Sequence, residues 1–405
     1  MQIQENPYLQ YFCGYPGYDD EHLPFDPSLM VYFRKRLTPE VLGEINEMIV
    51  RDAIKRKEEA EAQEENESKS DDDNDDNDAA PPADGGNSGT MIVDATCAPS
   101  EIRYPQDVSL LDEARENAEQ IIDILHKQST EKKPRTYRKQ AHKDSLKYMR
   151  SRKHTEKKTR EAIRRQLGYL RRDLSIIENM LKSGLKLSEK HQRRLITLQK
   201  VYEQQKYMFD NHTHTVPDRI VSISQPFLRP IVRGKAAKPV EFGAKPDISV
   251  SDGWTRLEYW SFDAYNEATT LQEAIERYRE REGHYPRRVL ADKIYRNRDN
   301  LNYCKLHGIR LSGPALGRPK KDEFRDKRQD YLDQNERIEV ERRFSLAKRK
   351  CNLGKVKTKL EETVGFTIAM SIVVLNLRKI QLALLRLFSV FCFAFSARLK
   401  FAFIQ

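Results

Sequence analysis

The chain has 405 residues, 33% of them charged and 38% hydrophobic, with a formal net charge of +10 and a pI of about 9.1. That length allows two or three domains, and the basic balance favours a polyanionic partner, either nucleic acid or an acidic membrane surface. Five scattered cysteines, none in a Cys-x-x-Cys pair, argue against a disulfide framework or structural zinc and for a reducing compartment. The first fifteen residues are polar and aromatic, without the basic and apolar regions of a secretory signal.

Residues 1–60 read as a helical domain. Asn6-Pro7 and the run from Pro24 to Ser28 are breakers and caps, and Leu29, Phe33 and Leu37 fall at helical spacing. Thr38-Pro39-Glu40 opens a second helix that carries Leu42, Ile45, Ile49 and Ala53 on one face. This domain is either plain helical packing or a small DNA-binding module. Residues 61–90 hold the block from Asp71 to Asp78, followed by Ala, Pro and Gly, and read as a disordered acidic linker.

Residues 91–131 begin with Met91-Ile-Val-Asp94, a buried strand with one carboxylate at its tip. A carboxylate is costly to bury unless it is paired or binds metal. A turn at Ala98-Pro99-Ser100 leads to an amphipathic helix over 108–125, with Leu111, Ala114, Ala118, Ile121, Ile122 and Leu125 on one face. Residues 132–210 form a basic helical insertion: 132–206 contain 24 Lys and Arg against 7 Asp and Glu. Stripes at Leu167, Leu170, Leu174, Ile177, Leu181 and at Leu195, Leu198, Tyr202, Met208 predict a helical hairpin. Charges of one sign repel unless an anion arrives, so its outer face suits nucleic acid better than mere solvation. Arg164, Arg165, Arg171 and Arg172 are the candidate phosphate contacts there.

Residues 211–386 turn to strand chemistry. Arg219 to Ser224, Val240 to Gly243, Ile248 to Ser251 and Trp254 to Phe262 are strand-like, with Gly234, Gly243 and Asp252-Gly253 at turns. A helix over 271–281 precedes Arg288-Val-Leu-Ala-Asp292, a second buried strand ending in an acid. A helix over 298–307, a strand at Ile309-Arg-Leu, a loop from Gly313 to Lys320, a long helix over 322–350 and a last one over 367–386 complete the pattern. Strands followed by helices, with acids at strand tips, predict an α/β core with a mixed sheet. The tail, 387–405, is apolar. In the C-terminal region as a whole, the charge-free runs Gly365–Leu377 and Leu387–Ala397 fall short of the roughly 18–20 residues of a spanning helix. A core helix with an apolar tail is therefore expected, and no membrane partner.

Other polar groups have plainer readings. His212 and His214 suit a surface turn better than a metal pair, and Trp254, Tyr259 and Trp260 suit strand packing better than base stacking. Asp247 and Asp252 read as turn formers, and Gly313–Gly317 lacks the Gly-Lys-Ser/Thr ending of a phosphate loop.

Several blocks resemble a known family. They are Gln4-Glu-Asn-Pro-Tyr-Leu-Gln-Tyr-Phe, Phe25-Asp-Pro-Ser-Leu-Met-Val-Tyr-Phe-Arg-Lys-Arg-Leu, Asp94-Ala-Thr-Cys-Ala-Pro, Ile102-Arg-Tyr-Pro, Pro230-Ile-Val-Arg-Gly-Lys and Ala291-Asp-Lys-Ile-Tyr-Arg. Together they resemble the DDE transposases of bacterial insertion sequences, in the insertion-sequence-five-like and insertion-sequence-four-like branch. The resemblance implies an α/β ribonuclease-H-like core, flanked by the N-terminal helical domain and the basic helical insertion. Asp94, Asp292 and Glu341 would hold Mg²⁺ or Mn²⁺ and be catalytic. Arg337, four residues before Glu341, and Lys348, seven after it, reproduce the family's Arg-x3-Glu-x6-Lys spacing and share its helix face. Glu339 lacks that spacing. Arg337, Lys348, Lys293, Arg296, Arg233 and Lys235 would contact DNA. The partners implied are double-stranded DNA, as terminal inverted repeats and target, and further copies of the chain, in the bacterial cytoplasm at the nucleoid.

Three departures from the family pattern stand out. Gln334 replaces a Tyr three residues before Arg337, and Arg342-Arg343-Phe344-Ser345 is bulkier than the family's small residues. The family's chains also carry further helical sequence before the Gln-Glu-Asn-Pro block. They leave open a truncated copy that binds element ends without cutting and represses.

Overall fold

The computed structural model describes residues 3–22, 25–26, 28–68, 86–235, 238–313 and 327–402. Most of the acidic linker, the loop that follows Gly313, the first turn expected of the 322–350 helix, and the side chains of Arg233 and Lys235 lie outside the described part.

Three helices open the chain: α1 (Pro7–Phe12), α2 (Leu29–Arg36) and α3 (Pro39–Ser68). Asn6 caps α1 by accepting from the backbone N–H of Tyr8 and Leu9, with Pro7 at the first helical position where no donor is needed. The apolar stripe of α3 does not face solvent. Leu42 packs on Ala369 and Val373 of the last helix, with Ile45 and Ile49 beside it. Asn46 and Asn376 close a buried hydrogen-bond ring with the Thr255 backbone: Asn46 Nδ2 and Asn376 Nδ2 both donate to Thr255 O, and Thr255 N donates to Asn376 Oδ1. This face of the N-terminal helices is thus spent on docking to the core.

The sheet is mixed. β1 (Thr90–Ala95) lies between β4 (Lys238–Ser251) and β6 (Arg288–Leu290), antiparallel to the first and parallel to the second. β5 (Trp254–Ser261) continues antiparallel beyond β4, and β7 (Arg310–Leu311) continues parallel beyond β6. The spatial order of the main sheet is therefore β5-β4-β1-β6-β7. The first half of β4 pairs with β2 (Ala98–Pro99) and β3 (Arg229–Lys235). A helix of one flank, α8 (Leu271–Glu282), packs with α9 (Arg298–Leu306) on one face of the sheet. The opposite face meets α10 (Lys327–Lys350) and α11 (Glu361–Ala402).

Strand periodicity decides which side chains meet which layer. Met91, Val93, Val289 and Ala291 enter the cluster under α8 and α9. Ile92 and Leu290 enter the other, against Val340 and Phe344 of α10 and Ile372 of α11. Two residues further on, the same parity aims Asp94 and Asp292 at the α10 side.

Two strand expectations are corrected. Residues 219–224 are not a strand; Ile220 and Ile223 are buried among helices instead. Gly243 is not at a turn: 240–243 and 248–251 belong to the single strand β4, and Gly243 lies where the backbone of Ala98 crosses it.

Between β2 and β3 stands a helical body: α4 (Asp107–His126), α5 (Arg138–Met149), α6 (Glu156–Lys182) and α7 (Glu189–Asp210). Leu111, Ile122, Leu170, Ile177, Leu198 and Val201 form its core. The α4 helix, expected with the sheet in the 91–131 segment, packs its apolar face here, so the body starts at Asp107 rather than at 132. The last helix is longer than expected. Its first half is buried through Val364, Ile368, Ile372 and Leu375, whereas Leu382, Leu384, Leu385, Leu387 and Phe388 are exposed. By length and composition, Glu361–Ser389 is long and apolar enough to cross a membrane.

Candidate active site

Asp94, Asp292 and Glu341 line one cleft of about 560 Å³ at the end of the sheet. Three elements bring them there. Asp94 is at the C-terminal end of β1, Asp292 caps the 3-10 turn that follows β6, and Glu341 lies in the middle of α10. Because β1 and β6 are parallel neighbours, their carboxyl ends coincide, and the helix across the sheet face supplies the third acid. Arg337 and Lys348 line the same cleft, on the same stripe of α10 as Glu341. The Arg337 Nη1 stands 3.7 Å from Asp292 Oδ1.

The electrostatics are those of crowded acids. Asp94 is pushed up to about 6, first by burial and then by the nearby charge of Glu267, with Asp292 adding to it; the Ala95 N–H and Arg337 oppose. Asp94 accepts from Ala95 N at 2.9 Å, and Asp292 from Lys293 N at 2.7 Å. Asp94, Asp292 and Glu341 together offer a hard-oxygen donor set suited to a divalent cation such as Mg²⁺ or Mn²⁺. The set fits the metal chemically, although the three acids do not bring their oxygens within 4.8 Å of one another.

Two members of the cleft carry no signal in the sequence. Glu267 begins a 3-10 turn (Glu267–Thr269) and pairs with Lys245 of β4, Nζ to Oε1 2.8 Å; both line the cleft. Behind them lies Asp247, expected as a turn former but found fully buried in the middle of β4. Burial pushes it up to about 8, with Glu258 and Glu267 adding to the shift and the neighbouring Thr270 hydroxyl opposing it. Asp252 does sit in a turn, with a left-handed φ of 50°.

The remaining expected contacts divide. Lys293 is exposed beside Asp292. Arg296 turns inward: its guanidinium donates to the carbonyls of Leu311 and Ser312, so it braces β7 rather than reaching a ligand. On α6, Arg164 and Arg171 are exposed. Arg165 pairs with Glu161 at 2.6 Å, and Arg172 lies 4.2 Å over the Tyr137 ring. Glu339 faces a separate pocket with Thr90, Asp252 and Glu336, and is held by Arg343. His212 touches Arg160 in a surface turn. Trp254 is buried under Lys379, and Trp260 packs in the core below α11.

Asp112, Glu116 and His142, by contrast, do bring ligand atoms within 4.8 Å of one another. Asp112 already accepts from Arg115 at 2.7 Å and from Ser145 at 2.7 Å. A guanidinium in that position opposes a second cation.

Residues 289–378 match the family model described as the transposase DDE domain. The matched stretch contains Asp292, Arg337, Glu341 and Lys348, and Asp94 lies outside it. No curated protein and no solved structure gives a match.

Proposed function

We propose that this chain is a DDE transposase of a bacterial insertion sequence, of the insertion-sequence-five-like branch, that cuts DNA at the element ends and joins them to a target. The observation that carries this reading is the cleft itself. Asp94, Asp292 and Glu341, far apart in the chain, line it together with Arg337 and Lys348. The sheet supports it too. Numbered within the main sheet alone, its strands run 3-2-1-4-5, with the first three antiparallel and the last two parallel to the first. That is the arrangement expected of a ribonuclease-H-like core. The family match over 289–378 adds the third line of support.

Asp94, Asp292 and Glu341 would hold Mg²⁺ or Mn²⁺, which when bound activates the attacking oxygen and stabilises the leaving one in phosphoryl transfer. Arg337 and Lys348 neutralise and orient the phosphates flanking the cut. Phe344 and Ile231 contribute apolar surface to the cleft wall. Hydrolysis at the element end breaks the P–O3′ bond and leaves a 3′-hydroxyl. That hydroxyl attacks a target phosphodiester, and one P–O bond replaces another without an external energy source. The exposed basic face of α5–α7 holds flanking DNA, and two chains would pair the two ends in the bacterial cytoplasm.

The test is incubation of the purified protein with a plasmid carrying the element's ends and Mg²⁺ or Mn²⁺. Metal-dependent nicking that Asp94→Ala abolishes is the expected result. End binding without cleavage under either metal would instead support a DNA-binding repressor.

A further inference from the structure

Asp247 joins three pieces of the cleft floor. It is 0% exposed, at the β4 position registered against Ala95, the residue after Asp94 in β1. The Tyr295 hydroxyl donates to its Oδ1 at 3.3 Å, and Thr270 Oγ1 lies 2.5 Å from its Oδ2. Tyr295, also fully buried, ends the 3-10 turn (Lys293–Tyr295) that Asp292 caps. Thr270 closes the turn that begins at Glu267 and donates to the Glu267 carbonyl at 2.9 Å. From the other side, Asn300 Nδ2 donates to Tyr295 O and to Ala268 O, both at 2.8 Å, so the two turns are clamped to each other.

A carboxyl buried this deeply is costly, and an apolar residue would fill a strand interior at less cost. Its position is explained by what it connects. We propose that Asp247 is a positioning residue: through Tyr295 and Thr270 it sets where Asp292 and Glu267 stand relative to Asp94. The proposal rests on the reading of the cleft as a metal-dependent DNA-cutting site.

Proton counting gives the network its direction. The Thr270 hydroxyl has one proton and two neighbouring acceptors, Asp247 and the Glu267 carbonyl. A neutral Asp247 resolves the conflict: its O–H donates to Thr270, Thr270 donates to Glu267, and the other Asp247 oxygen accepts from Tyr295. A side-chain amide supplies the same donor and acceptor. Asp247→Asn therefore keeps the network, Asp247→Leu removes it, and Tyr295→Phe removes one arm with little change of shape.

The experiment uses the full-length chain and two readouts. Hydrogen exchange over 292–297 and 266–271 reports whether the turns are held. Calorimetric titration with Mn²⁺ alone reports whether the acids are placed. Tyr295→Phe and Asp247→Leu are expected to speed exchange in both turns and to weaken Mn²⁺ binding about ten-fold or more, the usual effect of losing a group that orients a ligand. Asp247→Asn is expected to match the wild type in both. Unchanged exchange in Tyr295→Phe would overturn the proposal. So would a loss of Mn²⁺ affinity in Asp247→Asn equal to that in Asp247→Leu, since that would make the charge itself a ligand. A wild-type chain that binds no Mn²⁺ would sink the metal reading of the cleft, and the exchange data would still decide whether Asp247 holds the turns.

Discussion

Arg337 holds its guanidinium 3.7 Å from the Asp292 carboxylate, one helical turn before Glu341 on the same stripe of α10. The contact is too long for a tight hydrogen bond, so the guanidinium is near enough to offset the acid without capturing it. That geometry leaves Asp292 available to a metal and Arg337 available to a phosphate. Arg337→Ala should cut the cleavage rate about 10²–10³-fold, the scale of losing one charged transition-state contact. Mn²⁺ affinity should hold or rise, because a competing cation has gone. Arg337→Lys should recover part of the rate only, since an ammonium lacks the planar fork. A matching fall in Mn²⁺ affinity would mean that Arg337 shapes the site rather than serving the substrate.

Asp94 should cost the metal-free fold stability. Its proton affinity is raised, to about 6, chiefly by burial and then by Glu267. Between the ordinary carboxylate value and about 6, the folded chain keeps a proton that the unfolded chain has lost, so stability falls as pH rises through that window. Above it the full penalty stands, of order 1–3 kcal/mol at about 1.4 kcal/mol per pH unit. Asp94→Asn should therefore melt higher than the wild type at pH 7.5, with the difference vanishing near pH 4, while cleavage is lost. Millimolar Mg²⁺ should raise the melting temperature of the wild type and not that of the variant. Equal melting curves at pH 7.5 would contradict the assignment of Asp94 to a crowded, buried carboxyl group.

What could be read from the residues, and what could not, follows the range of the forces involved. The tips of β1 and β6 were legible because period-two alternation is local, and parity then aims both Asp residues at one layer. The Arg337, Glu341 and Lys348 trio was singled out by the family resemblance, and helical period adds only that such a spacing puts the three on one face. Glu267 gave no signal, because its place depends on where β4 delivers Lys245. Asp247, between Pro246 and Ile248, reads locally as a turn former; its burial is decided by Thr270 and Tyr295, 23 and 48 residues away. Residues 219–224 alternate like a strand, but alternation cannot tell whether Ile220 and Ile223 will meet a sheet or a helical body. The same ambiguity misplaced α4, whose apolar stripe would fit either neighbour.

Gly243 tests how tightly the chain leading away from Asp94 is held. A Cβ built there would stand 2.1 Å from Ala98 O and 2.8 Å from Pro99 Cα, backbone atoms that cannot swing aside. Gly243→Ala should cost about 1–3 kcal/mol, as overpacking does. It should also reduce cleavage, because the crossing of β2 over β4 lies just beyond Asp94 and Thr96. Gly168, inside α6 with nothing within 4 Å of its Cβ position, is the control of opposite sign. Gly168→Ala should stabilise by about 0.5–1 kcal/mol through helix propensity. Denaturant unfolding followed by circular dichroism measures both.

The basic body predicts unequal roles for four neighbouring arginines. All four are exposed on α6, but Arg165 is paired with Glu161 and Arg172 is stacked on Tyr137. A phosphate contact releases counterions, so each one lost should flatten the plot of log affinity against log salt by about 0.9. Arg164→Ala and Arg171→Ala should each approach that change and weaken binding to any duplex alike. Arg165→Ala should do less, since Glu161 already offsets its charge and DNA must compete with that partner. Arg172→Ala should act mainly on the packing of Tyr137 and show as a lower melting temperature. Affinity measured between 50 and 300 mM salt separates these cases. Four variants with unchanged slopes would move the DNA path off α6 altogether.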